Sequence, residues 1–321
     1  MEDIMTLHEN KEAFNNAIRA ASEHLGIRDV FVEKDYWVTL ILKRLSQSEF
    51  KNKVIFKGGT SLSKVHKLIN RFSEDVDLAI LKSEGQTETQ QRVMIRKVEK
   101  ELTSGFTEIE IPNLTSKQKN FRKTAYNYDR ITKNDSVGLH DKLILEINSF
   151  ANPVPYNLHS ANSMIAQFLT ETENIGPLTE FNLHPFELFV LDPRITLIEK
   201  ILSLIRLSFY DDGVERIRAK VRHFYDIYYL INTPTFHDPE NISGFRADFI
   251  RMFEEEKTRF FDPENWYKSG YTESPLFKNF TVIWDQIKHS YENDFRLLVF
   301  GEFPSSEEIV KQSIFLIELL G

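Results

Sequence analysis

The sequence contains no cysteine, no internal repeat and no low-complexity segment. Without cysteine the chain has no disulfide bonds and no thiolate metal sites, which is typical of proteins from a reducing cytoplasm. It also lacks an apolar run near the roughly 18 residues that a transmembrane helix needs. The N-terminal stretch Met1–Phe14 is acidic and predicts a helix rather than a signal peptide. We therefore expect a cytoplasmic protein that does not contact the membrane.

Positive charge is not in excess, because the formal net charge is −8 at pH 7. This balance argues against indiscriminate binding to nucleic acid, although a local basic surface would still bind phosphates. The 321 residues are 41% hydrophobic and 27% charged, as in ordinary globular proteins. A chain of this length forms one large domain or two modest ones.

The most informative stretch of the chain is Val54–Ile80, VIFKGGTSLSKVHKLINRFSEDVDLAI. Apolar runs at its two ends predict strands, and a glycine pair ends the first strand and precedes a helix. Two aspartates stand at the start of the second strand. The parts are the strand Val54–Phe56, the pair Gly58 and Gly59, the helix start at Thr60 or Ser61, the acids Asp75 and Asp77, and the strand Val76–Ile80.

This order of elements predicts a site for a nucleoside triphosphate and a metal ion. Side chains two residues apart in a strand share a face, so the carboxylates of Asp75 and Asp77 lie side by side and repel each other. A divalent cation such as Mg²⁺ relieves that repulsion and also binds substrate phosphates. A glycine pair lets the backbone approach those phosphates, and the amides at a helix start attract anions. Either feature alone is more often an ordinary turn or a solvated strand end.

The segments KGGTSLSK and RFSEDVDL resemble the signature of the AbiEii/AbiGii-type nucleotidyltransferase toxins. These toxins belong to the DNA polymerase β-like nucleotidyltransferase superfamily. Its pattern is a hydrophobic residue, Gly-Gly or Gly-Ser, a gap, and then Asp-hydrophobic-Asp, which here falls on Gly58, Gly59, Asp75 and Asp77. Weaker matches extend the resemblance over residues 30–230.

The resemblance implies an enzyme that transfers a nucleoside monophosphate from an NTP to an acceptor hydroxyl and releases pyrophosphate. Asp75 and Asp77 would hold Mg²⁺ or Mn²⁺. The resemblance also implies a separately encoded antitoxin and a role in growth control or phage defence, and transfer RNA is the acceptor in some members. The residues expected to bind the phosphates are Gly58, Gly59, Thr60, Ser61 and Lys64.

Two further charged residues interrupt apolar runs. Glu146 lies in a strand predicted over 142–150, and the resemblance implies a third metal-binding acid on a neighbouring strand. A local ion pair is the alternative for Glu146. Lys200 lies in a helix predicted over 194–209, where the resemblance implies a lysine that binds the triphosphate. A lysine that packs its alkyl chain over the core is the alternative.

Asp226 matches the last motif of the resembling family, an Arg followed four residues later by an Asp. The resemblance implies that Asp226 orients Lys200 or acts as a base, and we favour the orienting role because a neighbouring Arg lowers the basicity of an Asp. An Arg222–Asp226 ion pair on one helix face is the alternative. His223 stands where the family usually has an acid, so the chain departs from the pattern there.

The predicted fold class is α+β, with a mixed-sheet nucleotidyltransferase core that has helices on one face and is followed by a helical C-terminal half. We predict a core domain over residues 1–160 and a mainly helical domain over 161–321 that completes the active-site cleft. Residues 151–184 are expected to be irregular, and 215–231 to form one helix. A further helix over 29–45 carries Glu33, Lys34 and Asp35, for which we favour a solvated charged face over a role in the nucleotide site.

A nucleotidyltransferase needs an acceptor, and we expect RNA, with tRNA as the leading candidate. One group of basic residues that would bind it is Lys117, Lys119, Arg122, Lys123 and Lys133. The sequence leaves two alternatives open. One is nucleotidylation of protein or phosphoryl transfer, and the other is an NTP-sensing regulatory module without catalysis.

Overall fold

The structure is a computed structural model that describes residues 6–73, 75–83, 85–132 and 141–321. The chain divides into two units. The sheet unit comprises Met1–Lys67 and Phe72–Leu191, and the helical unit comprises Leu68–Arg71 and Asp192–Gly321. The predicted boundary lies at residue 160, whereas the structure divides after residue 191, because the last two strands of the sheet run through and beyond residue 160.

The sheet unit is built on a mixed sheet, which confirms the predicted fold class. In the part of the chain that the structure describes, eight strands join in the order β3-β5-β6-β2-β1-β8-β7, with β4 paired to β5. β1 is antiparallel to β2, whereas β2 runs parallel to β6 and β1 runs parallel to β8. The strands are β1 (Val54–Lys57), β2 (Asp75–Ile80), β3 (Thr107–Ile109), β4 (Ser116–Lys117), β5 (Phe121–Asn127), β6 (Leu143–Asn148), β7 (Tyr156–Ala161) and β8 (Phe186–Leu191).

Capping residues mark the start of three helices of the sheet unit. The Asn10 side chain accepts a hydrogen bond from the amide of Ala13 at the start of the first helix, and Gly26 ends that helix in the left-handed conformation. Thr87 and Gln90 form a capping box at the start of the fourth. The helices are α1 (Lys11–Leu25), α2 (Asp29–Gln47), α3 (Gly58–Lys64), α4 (Glu88–Leu102), α5 (Met164–Glu171) and α6 (Gly176–Glu180).

The core of the sheet unit lies between one face of the sheet and the helices α1, α2 and α4. It contains Phe14 and Ile18 of α1, Ile41 of α2 and Val98 of α4, each no more than 1% exposed, together with the inward residues of β1, β2 and β6. Burial of these apolar side chains is the main force that holds the layer together. The face of the sheet that points away from this core is the one that carries charge.

The helical unit contains a core rich in aromatic residues. Phe245, Phe249 and Trp266 are 0% exposed, and Trp284 is 2% exposed, so these two tryptophans are core residues. No helix in the described part of the chain combines the length and apolar character needed to cross a membrane. The helices are α7 (Pro193–Ser208), α8 (Gly213–Arg218), α9 (Arg222–Ile231), α10 (Pro239–Lys257), α11 (Glu264–Lys268), α12 (Pro275–Lys278), α13 (Phe280–His289) and α14 (Ser306–Leu320).

Two secondary-structure predictions are wrong. Residues 215–231 form two helices, because tight turns follow α8, with the amide of Lys220 bonded to the carbonyl of Ile217 and that of Val221 to Arg218. Residues 151–184 are not irregular, since β7, α5 and α6 lie within them. The prolines of this segment precede β7 instead of interrupting it, which is compatible with a strand.

Candidate active site

Strand register places four charged side chains in one row on one face of the sheet. Lys57 of β1 pairs with Asp77 of β2, and Asp77 pairs in turn with Glu146 of β6. On the far side of Glu146, β5 contributes Lys123. Asp75 precedes Asp77 by two residues and therefore shares its face. The structure thus brings together the three acids that the sequence predicts, and we call Asp75, Asp77 and Glu146 the carboxylate cluster.

The alternation of residues along β2 determines which way the aspartates point. Val76 and Leu78 are 1% and 0% exposed, and they pack into the core beneath the helices. Asp75 and Asp77 therefore project from the opposite face. A slip of one residue in register would bury both carboxylates in the apolar core, so the apolar pattern specifies the position of the acids.

Lys123 is the basic residue of the carboxylate cluster. Its Nζ lies 3.7 Å from Oδ2 of Asp75 and 3.6 Å from Oε2 of Glu146. The side chains are partly buried, at 18% exposure for Lys123, 13% for Asp75 and 24% for Glu146. The ammonium group therefore interacts with two of the three acids at once, in a setting that screens charge less than bulk water does.

Asp77 is an acid whose ionised form the site disfavours. Burial raises the pKa of Asp77 to about 7, and the neighbouring charges of Glu146 and Asp75 act in the same direction. Lys123 and Lys57 oppose that rise in pKa without cancelling it. A carboxylate destabilised in this way gains from a nearby cation, which is the physical reason to expect a metal ion here.

Position 58 requires glycine for two reasons, its backbone conformation and the lack of space for a side chain. Its φ angle is +78°, a left-handed conformation that side chains rarely adopt. A Cβ at this position would lie 2.8 Å from Cγ of Asp77 and would overlap the carboxylate. The glycine therefore makes room for the Asp77 carboxylate. This explains in physical terms why Gly58 and Asp77 belong to one motif.

Two hydroxyl groups of α3 donate hydrogen bonds to the backbone of the glycine turn and of β2. Oγ1 of Thr60 donates to the carbonyl of Asp75 at 2.5 Å, and Oγ of Ser61 donates to the carbonyl of Gly58 at 2.8 Å. Both residues are almost fully buried. These contacts link the glycine turn to the start of β2. They leave backbone amides, not the two hydroxyls, as the better candidates for contact with a phosphate.

Lys64 lies in a buried ion pair with Asp35, and its predicted role at the triphosphate stays a prediction. Its Nζ contacts Oδ1 of Asp35 at 2.5 Å, with the two side chains 4% and 10% exposed. Burial lowers the pKa of Lys64, and Asp35 opposes that shift. Asp35 also accepts a hydrogen bond from the amide of Met164 at 2.7 Å. In this structure Lys64 joins α3 to α2.

Three consecutive charged residues of α2 are buried, so the solvated charged face predicted for them is wrong. Glu33 and Lys34 are each 1% exposed, and Asp35 is 8% exposed. Glu33 accepts hydrogen bonds from the amides of Ile131 and Thr132 at 2.7 and 2.9 Å. Lys34 donates to the carbonyl of residue 142. Each charge thus meets backbone groups or an opposite charge from a neighbouring segment, which is how a buried charge is tolerated.

The helical unit contains a second cluster of charge, around Asp226. Arg71 contacts the Asp226 carboxylate through Nε at 2.6 Å and Nη2 at 2.7 Å, and Nζ of Lys200 lies 2.7 Å from Oδ2. Burial alone would raise the pKa of Asp226, but Arg71 and Lys200 outweigh it and lower the pKa to about 2. The Lys200–Asp226 contact is the one expected if Asp226 orients Lys200, and that role stays a prediction.

The basic group proposed for RNA is partly neutralised by acids. Lys133 lies outside the described residues, and the other members each have an acidic partner. The RNA-binding surface stays a prediction, with less free positive charge than the sequence indicates. Besides Lys123, the pairs are Lys117 with Glu108 at 2.5 Å, Lys119 with Glu88, and Arg122 with Glu99 at 2.6 Å.

The carboxylate cluster offers the donors that a divalent cation requires. Mg²⁺ and Mn²⁺ prefer carboxylate oxygens, and Gly58 leaves open the volume in which the Asp77 carboxylate lies. Among the residues that the structure describes, no group of three or more His, Cys, Asp or Glu side chains is already arranged to hold a metal ion. The chemistry of the donors therefore fits Mg²⁺, although the side chains are not preset around one ion.

Three partners of these charged residues were not assigned to the site from the sequence. They are Lys123 beside the carboxylate cluster, Asp35 beside Lys64, and Arg71 beside Asp226. Only Lys123 carries a signal in the sequence, because a Lys within a predicted strand next to a strand that holds an acid points to cross-strand pairing. Asp35 and Arg71 are separated from their partners by too many residues for spacing to reveal the contact.

A family profile described as the nucleotidyl transferase AbiEii toxin of a type IV toxin–antitoxin system matches residues 40–308. The chain belongs to the AbiEii family. The match confirms the resemblance seen in the motifs and extends past residue 230, where those motifs end. Membership supports a nucleotidyl transfer activity, a role as a toxin and an antitoxin partner. No curated protein matches the sequence.

Solved structures that are similar to this chain include JHP933 from Helicobacter pylori, with a TM-score of 0.44 and 15% sequence identity over 91% of this chain and 92% of that one. A second is an antigenic nucleotidyltransferase-like protein from Paracoccidioides brasiliensis, with a TM-score of 0.31 and 17% identity over 73% of this chain and 91% of that one. Both similarities are distant.

Proposed function

We propose that this protein transfers a nucleoside monophosphate from an NTP to a hydroxyl of tRNA, in a reaction that depends on Mg²⁺ and releases pyrophosphate. The observation that carries the proposal is the carboxylate cluster, in which Asp77 and Glu146 are cross-strand neighbours and Asp77 lies over Gly58. Membership in the AbiEii family supports the reaction class. The cytoplasm is the proposed location, and growth control or phage defence through a cognate antitoxin is the proposed setting.

Asp75, Asp77 and Glu146 would hold the divalent cation. When bound, a metal ion neutralises charge on the phosphates and lowers the pKa of a coordinated hydroxyl. The protein supplies the position of these acids, since β2 and β6 are paired and Gly58 admits the Asp77 side chain. A transfer of this kind depends mainly on positioning and on electrostatic stabilisation, so it requires no covalent nucleophile.

The backbone of Gly58 and Gly59 is the proposed contact for the phosphates. The hydroxyls of Thr60 and Ser61 hold that backbone in place, and Lys64 anchors the end of α3 through Asp35. Lys200 is proposed to neutralise charge on the triphosphate. Its contact with Asp226 keeps the ammonium group in one orientation, which favours binding of a fixed anion.

The test is incubation of the purified protein with Mg²⁺, bulk tRNA and each α-labelled NTP in turn, beside the variants Asp75→Ala and Asp77→Asn. Label on RNA with the wild type and not with either variant would support the proposal and identify the nucleotide. The control variant is Asp212→Asn, which makes the same change at an exposed ion pair with Arg216. It is expected to label RNA like the wild type.

Other outcomes favour the alternatives. Label that appears on protein instead of RNA would favour protein nucleotidylation. Transfer from the γ-phosphate, with none from the α-phosphate, would indicate phosphoryl transfer. Binding of NTP without transfer of either label would indicate a regulatory module.

A further inference from the structure

We propose that Lys123 is a built-in competitor of the divalent cation, so that metal binds the carboxylate cluster firmly only when it arrives with a nucleotide. This inference rests on the proposed function, because it assumes that the cluster is a metal site. It adds a role for a residue that the motif Gly-Gly…Asp-x-Asp does not include. The experiment below separates a failure of this inference from a failure of the metal site.

Lys123 lies beside two of the proposed metal ligands. Cross-strand pairing with Glu146 places it on the charged face, and its ammonium group lies within 3.7 Å of Asp75 and 3.6 Å of Glu146. These two acids are also proposed metal ligands. A metal ion bound to both would stand within a few ångströms of the ammonium group, and like charges at that separation repel strongly in a partly buried site.

The charge of the site affects a free metal ion and a metal–nucleotide complex differently. The carboxylate cluster supplies three negative charges when ionised, and Lys123 offsets one of them. A free divalent cation must therefore displace the Lys123 ammonium group or bind next to it despite the repulsion. A metal ion bound to a triphosphate arrives together with the negative charge of the phosphates. The net positive charge near Lys123 therefore does not rise when this complex binds. Repulsion by Lys123 therefore weakens binding of the free metal ion more than it weakens binding of the metal–nucleotide complex.

The side chain of Lys123 is of a type that binds phosphate. Lysine carries a compact charge on a flexible four-carbon stem and binds phosphate as a point charge. Once a metal–nucleotide complex is present, the Lys123 ammonium group gains an alternative partner in the phosphate oxygens. The same residue therefore opposes the free metal ion and favours the complex. By linkage, nucleotide and metal strengthen each other's binding by the same factor.

The test measures metal binding rather than catalysis. Mn²⁺, as a probe for Mg²⁺, is titrated calorimetrically into the full-length protein, with and without a nonhydrolysable α,β-methylene triphosphate. The variant Lys123→Met removes the charge and keeps much of the stem. In the absence of nucleotide, Lys123→Met is expected to bind Mn²⁺ about tenfold more tightly than the wild type, or better, as removal of a nearby unit charge predicts. The nucleotide should then strengthen Mn²⁺ binding less than it does in the wild type.

Two controls identify charge as the cause. Lys123→Arg keeps the charge and is expected to bind Mn²⁺ as weakly as the wild type. Lys100→Met removes an exposed charge from α4, the helix that covers the opposite face of the sheet, and should change nothing. The thermal unfolding temperature of each variant confirms that it is folded.

Three different results would overturn the inference. If Lys123→Met binds free Mn²⁺ no more tightly than the wild type, while Asp75→Ala weakens binding, the metal site stands and the competitor role is wrong. If Mn²⁺ binds neither protein with or without nucleotide, the metal site and this inference both fail. Equal tightening in Lys123→Met and Lys123→Arg would assign the effect to packing, which also contradicts the role of charge.

Discussion

Each unit contains an aspartate at least partly removed from solvent, and the pKa values of the two carboxylates shift in opposite directions. Asp77 in the sheet unit has two acids beside it, and its pKa rises to about 7. Asp226 in the helical unit has Arg71 and Lys200 beside it, and its pKa falls to about 2. Burial disfavours charge at both positions, so the neighbours account for the difference.

The comparison shows what each cluster lacks. In the carboxylate cluster Lys123 contacts two of the three acids and Lys57 acts on Asp77 through its charge, so negative charge exceeds positive charge and the cluster suits a cation. The cluster around Asp226 has one acid and two cations in contact, so positive charge exceeds negative charge and suits an anion. A metal ion and a phosphate are ligands of these two signs.

The largest expected effect comes from neutralising Asp226. Asp226→Asn leaves Arg71 and Lys200 buried without their carboxylate, and loss of one partner from a buried pair typically lowers the free energy of unfolding by about 3–5 kcal/mol. Urea denaturation followed by circular dichroism measures this loss. Asp212→Asn, at an exposed pair in the same unit, is the matched control and should leave the midpoint unchanged. An unaltered midpoint in Asp226→Asn would show that the cluster does not stabilise the unit.

A second effect distinguishes backbone strain from the space that Asp77 needs. Gly58→Ala and Gly105→Ala both place a side chain at a positive φ, +78° and +83°, but only the first meets neighbouring atoms. We expect both to lose about 1–2 kcal/mol of unfolding free energy from the left-handed backbone. Only Gly58→Ala should also lose metal binding and RNA labelling. Normal labelling in Gly58→Ala would contradict the proposed link between Gly58 and Asp77.

The pH dependence of stability separates the two aspartates. The folded state raises the pKa of Asp77 from its ordinary 3.8 to about 7, so its stabilising effect is complete below pH 4 and is lost as pH rises through 7. For Asp226 the sign is reversed, because its pKa is lowered, and stability falls as pH drops below 3.8 towards 2.

Subtraction of variants isolates the Asp77 contribution. Because solvent reaches part of the side chain, we expect the wild type to lose about 1–2 kcal/mol relative to Asp77→Asn between pH 4 and pH 8. Unfolding free energies at several pH values, without divalent cations, measure the difference. A difference that does not change with pH would show that Asp77 titrates normally.

The smallest expected effect concerns the exposed basic residues. Lys119 and Glu88 form an ion pair with side chains 60% and 62% exposed, and such pairs contribute little to stability. Lys119→Ala should leave the unfolding midpoint unchanged. If the tRNA proposal is right and this surface takes part, Lys119→Ala should bind RNA slightly more weakly than the wild type at low salt. Lys119→Arg, which keeps the charge, should bind RNA like the wild type. A large fall in stability would show that the pair matters more than its exposure indicates.

Local features were predictable from the sequence. Strand β1, the glycine turn, helix α3 and strand β2 follow from an apolar run, a glycine pair and alternation, all within Val54–Ile80. Glu146 was also predictable, because an acid inside an apolar strand needs a partner. The partners themselves were not. The Lys64–Asp35 pair and the Arg71–Asp226 pair each join segments that lie far apart in the chain.

The sequence by itself determined the motif, the α+β class and the face of β2 on which the aspartates lie, because these depend on residue type and on spacing within a few residues. Only the tertiary structure decided that α2 buries Glu33, Lys34 and Asp35, and that Lys123 meets the carboxylate cluster. The register between β5 and β6 and the packing of α2 set these contacts. Charge is tolerated in the interior wherever distant parts of the chain supply its partners, and periodicity along the sequence carries no record of such partners.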